Sequence, residues 1–514
     1  MRKKLLSILL VLVLVMSLSV LTGCGIPSTS SDETKSDATS EAKDESTPET
    51  SDETSETDSS MESTEPITLE VVDWSDSTAE RRRMFNDVYM ELNPNITIEY
   101  TTMTIDQFKS SVVTAIKSGE APDLFPIPVG ITLPTAVAED WFLPLNDLMP
   151  EDFWGTILEP ALGDGVAKLD GNYYTLPEVQ ALTNQLIFYN QDVLDKAGVT
   201  DLPTTYSEFI EVCDQITKAG NGEYYGFIEG GKQTNRMYAL AEGFSNVGGA
   251  KLPDFSKALV DGGRINYDSQ AVLDVFELFK TLNDNGSIHP DTINLNAPEA
   301  REYFAQGQAA FIMQGIWCIG VWESTHPETN FGTMAVPVPD SGQLGKISTP
   351  EYGAWMGVYS QTEYPEEAAK YLAAMYNYGN DQYTYQDDLV AYGGQMSIVK
   401  GVVEENLTNP RVLEYYNLGQ ETAATYPAAT TRDPKAFDFY AEVVDVQPSL
   451  ANLFQGLISG SLDEYADALT TLSDEQTAEW TRAAEAVGLT IDVFDFTNWD
   501  TMENYGSDDY AALK

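Results

Sequence analysis

Few side chains in this 514-residue chain have the chemistry of a catalytic centre or a metal site. The two histidines, His289 and His326, each precede a proline in loop-like sequence, and no cysteines are paired at metal-ligand spacing. This argues against a Ser-His-Asp or Cys-His mechanism and against zinc, and we expect no catalytic residue, cofactor or metal. For Cys213 and Cys318 we favour two buried free thiols over a disulfide.

One motif imitates a nucleotide-binding loop. In "GFIEGGKQ", Gly226, Gly231 and Lys232 have the spacing of a phosphate-binding loop, but Gln233 stands where a hydroxyl must bind Mg²⁺. We interpret the segment as a glycine-rich turn after a strand.

The charge of the chain argues against another class of ligand. The net charge is −53, so nucleic-acid phosphates would be repelled. Beyond the N-terminal leader, the one basic run is Arg81–Arg83, which lies in a helical pattern and is interpreted as a solvated helix face. Paired carboxylates carry no information here, because 81 acidic residues place such pairs everywhere.

Alternating apolar residues predict the elements that would position a site. The segments "ITLEVVDW", "ITIEYTTM" and "DLFPIPV" read as strands separated by helices, which predicts a parallel α/β sheet. Thr205 and Glu208 have capping-box spacing before a helix that ends at Gly220. Residues 67–514 are too many for one ordinary core and favour two lobes.

The first 66 residues have a different composition. Arg2–Lys4 precede an apolar run, Leu5–Leu21, which is typical of an export signal; a retained membrane anchor is the alternative. Residues 25–66 are acidic and rich in serine and threonine, which predicts a disordered linker without a core. Leu21-Thr22-Gly23-Cys24 resembles the lipobox of bacterial lipoproteins, which implies a signal peptide over residues 1–23 and a lipid on Cys24.

Several longer segments together resemble one family. They are "FNDVYMELNPNITIEY", "AIKSGEAPDLFPIP", "DGNYYTLPEVQALTNQLIFYNQDVLDKAGVTDLPTTYSEF" and "YFAQGQAAFIMQGIW". Together they are similar to the extracellular solute-binding proteins of ABC importers, in the large family that includes maltodextrin-binding proteins. The match covers most of the chain after the linker, and a lipid anchor suits Gram-positive members.

The resemblance implies a two-lobe α/β fold of the periplasmic-binding-protein type (class II), with hinge strands and a ligand cleft between the lobes. Its expected N-terminal lobe comprises residues 67–182 and 338–385, and its C-terminal lobe residues 183–337 and 386–472. Chain crossings are expected near 178–182, 335–340 and 383–389. Residues 473–514 are expected to form a helix capped at Ser473 and Gln476, followed by a tail.

Eight side chains are candidate ligand-binding residues: Trp317, Trp74, Asp76, Asp123, Glu178, Gln180, Trp355 and Arg432. Trp317 follows the "QG" turn where the family commonly places a stacking aromatic; packing under the hinge is the alternative. Trp74 and Asp76 follow the first strand, at the edge where open α/β sheets bind ligands, although Trp74 could equally belong to the core.

The other candidates lie elsewhere in the chain. Glu178 and Gln180 lie in the first expected crossing, and Trp355 stands beside Gly353-Ala354, where the family often has a Gly-Gly pair. Asp123 could instead cap a turn, and Arg432 could form a surface salt bridge.

The resemblance implies a monomeric, non-catalytic receptor that closes on a carbohydrate, an oligosaccharide or a glycoside, and delivers it to an ABC permease at the outer face of the cell membrane. The alternatives are a receptor for a peptide, polyamine or organic anion, and a lipid-anchored enzyme acting on glycans.

Overall fold

The computed structural model describes residues 65–163, 166–180, 182–253, 259–349, 352–379 and 382–505. The expected signal peptide, Cys24 and all of the linker up to residue 64 lie outside the described residues.

The described strands, numbered in chain order, are β1 Ile67–Asp73, β2 Ile96–Thr102, β3 Leu124–Pro126, β4 Lys168–Leu169, β5 Asn172–Tyr173, β6 Thr175–Gln180, β7 Leu186–Asn190, β8 Tyr225–Phe227, β9 Val260–Asp261, β10 Arg264–Ile265, β11 Ala309–Gln314, β12 Phe331–Met334, β13 Ile347–Thr349, β14 Tyr352–Val358 and β15 Ala423–Thr425.

The described α-helices are α1 Ala79–Leu92, α2 Ile105–Ser118, α3 Leu133–Ala138, α4 Gln191–Ala197, α5 Tyr206–Gly220, α6 Thr234–Val247, α7 Gln270–Asp284, α8 Ala297–Ala305, α9 Trp317–Thr325, α10 Pro365–Met375, α11 Tyr385–Tyr392, α12 Val402–Asn406, α13 Pro410–Thr422, α14 Ala429–Arg432, α15 Ala436–Glu442, α16 Leu450–Ile458 and α17 Tyr465–Ala486.

The first lobe is built on a five-stranded sheet with the order β2-β1-β3-β14-β6. Strand β1 pairs in parallel with β2 and β3, as the alternation of strands and helices predicts. Strand β14 returns antiparallel between β3 and β6. The three parallel strands therefore point their carboxyl ends to one edge of the sheet.

The second lobe is built on a four-stranded sheet with the order β12-β7-β11-β8. All six side chains of β11 are buried, as in a strand covered on both faces. Helix α6 is also buried from Arg236 to Val247, because it packs between α7 and α16. The predicted capping box of Thr205 and Glu208 is present at the start of α5.

The chain passes between the lobes later than expected at two places. Val338 still bonds to the second lobe through Thr204, and Ser348 through Asn246 on α6, so the return to the first lobe follows β13. The third expected crossing is helix α11, which packs on α1 and bonds to Arg82. The apolar side chains of α11 pack within the first lobe, and the chain passes to the second lobe only after α12.

Two local expectations are wrong. Arg82 is not on a solvated face: it is 1% exposed and bonds to Glu178 and Tyr385. Ser473 does not begin a helix, because α17 starts at Tyr465 and runs through it. The hydroxyl of Ser473 donates to the carbonyl of Leu469 instead of capping a helix end.

Candidate ligand-binding site

A cavity of about 600 Å³ lies between the two sheets, within the range of small-molecule sites. From the first lobe it is lined by the residues that follow β1, β2 and β3, at the carboxyl edge where open α/β sheets bind ligands. From the second lobe it is lined by the starts of α6, α8 and α9. The sheet edge that the sequence predicts is therefore the first-lobe wall of this cavity.

Three tryptophans give the cavity apolar faces. Trp74 follows β1 and meets Phe108 edge to face, with ring centroids 5.0 Å apart. Trp317 begins α9 and lies over Gly315, where a Cβ atom would overlap its ring. Trp355 lies on β14. Such rings can stack on the apolar C–H faces of a sugar while leaving its hydroxyls free.

Amides dominate the polar part of the lining. Among the described lining residues, eight carry an amide: Gln107, Gln180, Asn184, Gln185, Gln233, Asn235, Gln314 and Gln395. Each amide can both donate and accept, which matches a hydroxyl group.

Among the described lining residues, five buried polar side-chain atoms have no hydrogen-bond partner. They are Thr102 Oγ1, Gln185 Oε1, Asn235 Oδ1, Trp355 Nε1 and Gln395 Oε1. A buried polar group without a partner is costly, so this concentration at one cavity is an arrangement that a hydrogen-bonding ligand would complete.

The charges at the cavity are compensated. Arg236 is bonded to the buried carboxylate of Glu229 through Nε and Nη2, each at 3.2 Å. The same carboxylate accepts from Gln314 Nε2 at 2.7 Å, and it is fully buried. Glu229 therefore fixes two lining side chains and neutralises one of them.

The other charged lining residues, Asp76 and Arg301, form an ion pair with each other. Asp76 follows β1 in the first lobe, and Arg301 lies on α8 of the second lobe. Among the described residues that line the cavity, no other side chain is charged. The cavity thus offers hydrogen bonds without a net charge.

Five of the eight candidate residues line the cavity: Trp74, Asp76, Gln180, Trp317 and Trp355. The other three do not. Asp123 accepts from the amide of Glu70 and the hydroxyl of Thr362, so it braces the first sheet.

Glu178 is paired with Arg82 at 2.8 Å behind the sheet, and burial raises the pKa of Glu178. Arg432 donates to the carbonyls of Val493 and Asp495 and lies over the ring of Phe496, so it fastens the C-terminal segment. None of these three side chains faces the cavity.

Sequence reasoning missed Arg236, Arg301, Asn235 and Gln395. Asn235 and Arg236 follow shortly after "EGGKQ", the segment that resembles a nucleotide-binding loop. That segment is a turn after β8, as interpreted, and Gly230 lets it pack against α8, because a Cβ there would lie 2.6 Å from the backbone nitrogen of Ala297. The turn brings α6 to the cavity, a role that the motif spacing alone does not reveal.

Cys213 and Cys318 are both buried and free, as favoured from the sequence. Within the described ranges, no group of three or more His, Cys, Asp and Glu side chains could hold a metal ion. No helix among the described residues is long and apolar enough to cross a membrane.

Comparison with known proteins identifies the fold and the family. A solute-binding protein of an ABC transporter from Thermotoga lettingae, bound with α-D-tagatose, is 18% identical, with a TM-score of 0.63 over 80% of this chain and 99% of that chain. A Listeria monocytogenes substrate-binding protein in complex with cycloalternan is 16% identical, with a TM-score of 0.60 over 83% and 100%. A maltodextrin-binding domain from Bdellovibrio bacteriovorus, bound to maltotriose, is 17% identical, with a TM-score of 0.58 over 80% and 100%.

These three likenesses show the two-lobe fold of solute-binding proteins. The family model of bacterial extracellular solute-binding proteins matches residues 74–382, which is more than half of the chain. This chain therefore belongs to the bacterial extracellular solute-binding protein family.

Proposed function

We propose that this protein is the receptor of an ABC importer, which captures a neutral carbohydrate between its lobes and delivers it to the membrane permease without altering it. The observation that carries the proposal is the cavity lining: three tryptophan faces, eight amides and charges that are paired within the protein. Sugar ligands named for three proteins of the same fold, tagatose, cycloalternan and maltotriose, support it.

The paired charges bear on the alternative ligands. A polyamine needs unpaired carboxylates, and an organic anion needs unpaired cations, because a buried charge requires a partner. Arg236 and Arg301 are both engaged, and the one acidic residue among the described lining side chains is Asp76, which is engaged as well. The lining therefore favours an uncharged ligand.

Hinge closure would couple capture to delivery. A ligand that contacts both walls of the cavity stabilises the closed arrangement over the open one, and the permease would recognise that arrangement. We include in the proposal a monomer held by a lipid on Cys24 at the outer face of a Gram-positive cell membrane. Metabolic labelling with an alkyne-bearing fatty acid tests the anchor: the label should enter the chain and be lost in Cys24→Ala.

A thermal-shift panel tests the central claim. The ligands are maltotriose, cellotriose, xylotriose, tagatose, spermidine, citrate and a tripeptide. A ligand present at 100 times its Kd should add about 2.7 kcal/mol to the free energy of unfolding. We expect a shift with at least one saccharide and no product on chromatography afterwards. A shift with spermidine, citrate or the peptide alone would reject the carbohydrate, and turnover of a saccharide would reject the receptor.

A further inference from the structure

A second, smaller cavity adjoins the main one and shares part of its wall. Its volume is about 120 Å³, and four residues line both spaces: Ile127, Ile131, Trp355 and Tyr426. We call it the side cavity. The two cavities are therefore neighbours that have these four residues in common.

The two cavities differ in chemistry. The described residues that line the side cavity alone are Thr132, Leu133, Val166, Pro253, Leu259, Pro427, Ala428, Thr430, Phe437 and Tyr440. Among them there is no carboxylate, amide side chain, lysine or arginine; the polar side chains are the hydroxyls of Thr132, Thr430 and Tyr440, whereas the main cavity has eight amides. A sugar ring placed in the side cavity would meet three side-chain hydroxyls and no amide among the described lining residues, fewer hydrogen-bonding side chains than the main cavity offers. An apolar group would instead gain by burial there.

The size of the side cavity suits one ring. An apolar protein cavity of roughly 150 Å³ can bind benzene. The side cavity is close to that volume, and its walls include the aromatic ring of Phe437 and the aliphatic side chain of Leu133. It is too small for a second sugar chain.

One of the shared residues carries a hydrogen-bond donor without a partner. The indole Nε1 of Trp355 is buried without a partner, and Trp355 lines both cavities. In a glycoside, an oxygen atom links the polar sugar to the aglycone. An indole N–H can donate a hydrogen bond to that oxygen.

We propose that the ligand of this protein is a glycoside with an apolar aglycone of about one aromatic ring, whose sugar occupies the main cavity and whose aglycone occupies the side cavity. This rests on the proposed function, since it takes the main cavity to be a sugar site. It narrows the ligand from carbohydrates in general to conjugates, and it assigns to Trp355 the recognition of the linking oxygen.

Calorimetric titration of the full-length chain with matched glycosides tests the proposal. The probes are phenyl and methyl glycosides of maltose, cellobiose, xylobiose and galactose, which differ only in the size of the aglycone. For the sugar that binds, we expect the phenyl glycoside to bind at least tenfold more tightly than the methyl glycoside. Binding of a sugar with equal affinity for its two glycosides would overturn this inference and leave the carbohydrate receptor standing. If none of the glycosides binds, both this inference and the proposed carbohydrate receptor are overturned.

A variant pair locates the effect. Thr430→Phe fills the side cavity, and it should abolish the preference for phenyl while leaving the affinity for the methyl glycoside within twofold. Thr430→Ser is the matched control and should keep the preference. If Thr430→Phe does not fold, Leu133→Asn places an amide in the same wall and should reduce the preference. A preference that persists in the folded variant would show that the phenyl group binds elsewhere and would overturn the proposal.

Discussion

Asp76 and Arg301, which both line the cavity, form an ion pair that joins the two lobes. The guanidinium is nearly buried, at 7% exposure, whereas the carboxylate is 48% exposed. Trp322, on α9, donates its indole N–H to the backbone carbonyl of Arg301, so the backbone that carries the cation is fixed within the second lobe. The carboxylate is therefore the partner that leaves when the lobes separate.

Asp76→Asn should favour the open arrangement. An ion pair with one exposed partner contributes at most about 1 kcal/mol, so we expect sugar affinity to fall roughly fivefold. Small-angle X-ray scattering should show a larger radius of gyration for the unliganded variant. The control is Arg411→Gln, which breaks a 2.9 Å pair with Glu323 inside the second lobe and should change neither quantity. Equal radii for Asp76→Asn and the wild type would contradict the role of the pair.

Trp317→Ala should weaken binding without unfolding the protein. Trp317 is partly exposed and lies over Gly315, at the cavity, so its removal takes away a stacking face more than a core contact. We expect the ligand-induced thermal shift to disappear while the melting temperature of the unliganded protein moves by only a few degrees. Trp322→Ala is the contrast: that ring is 1% exposed and should cost about 3–5 kcal/mol of stability. Loss of folding in Trp317→Ala would instead assign Trp317 to the core.

Asn235→Leu should separate binding from stability. The Oδ1 atom of Asn235 is buried without a partner, so its replacement should leave the unliganded protein as stable as before or more stable. Sugar affinity should fall about tenfold, as expected for a lost hydrogen bond to a ligand. Asn246→Leu, on the same helix, is the control: Asn246 bonds to Leu252 and Ser348, so this variant should lose stability in urea. An unchanged affinity in Asn235→Leu would remove Asn235 from the site.

Glu229→Ala should be strongly destabilising. It leaves Arg236 buried without its carboxylate, which typically costs about 3–5 kcal/mol, measurable by urea unfolding. The double variant Glu229→Leu/Arg236→Met removes both charges and should recover most of that loss. Its affinity for sugar should nevertheless remain low, because Arg236 is gone and Gln314 is no longer oriented by Glu229. If the double variant is no more stable than Glu229→Ala, the stabilising role of Glu229 is not the neutralisation of Arg236.

The two histidines should titrate on opposite sides of the ordinary value. The hydrogen bond from His326 to Glu302, at 2.8 Å, raises the pKa of His326, and burial lowers the pKa of His289. His326 therefore adds stability at low pH that is lost as pH rises through its raised pKa. His289 adds stability at high pH that is lost as pH falls below about 6.5. Nuclear magnetic resonance titration should resolve both, and Glu302→Gln should lower the pKa of His326 alone.

The sequence predicts the elements of this fold better than the path between them. The carboxyl edge of the first sheet follows from the alternation of strands and helices, and with it the position of Trp74 and Asp76. The late return to the first lobe does not follow, because residues 338–348 are held by contacts with Thr204 and Asn246 that lie far away in the chain.

Polar residues show the same limit. Glu178 and Arg236 are both charged residues next to a predicted strand or turn, and only their neighbours in space decide their roles. Glu178 is paired with Arg82 behind the sheet, whereas Arg236 is held at the cavity by Glu229. The Glu178 pairing has no signal in the local sequence, since Glu178 and Arg82 are separated by 96 residues. Glu229 and Arg236 are only seven residues apart, but the turn that brings them together is set by packing against α8.

The chain leaves the first lobe after β6 and returns to it at β14 side by side, since Gln180 at the end of β6 pairs with Tyr352 at the start of β14. A rotation of the lobes about these adjoining passages can leave the hydrogen bonds within each sheet intact. Opening would break contacts across the cleft, among them the ion pair of Asp76 and Arg301. Small changes there, such as one carboxylate at position 76, can therefore set how often the empty protein samples its closed shape.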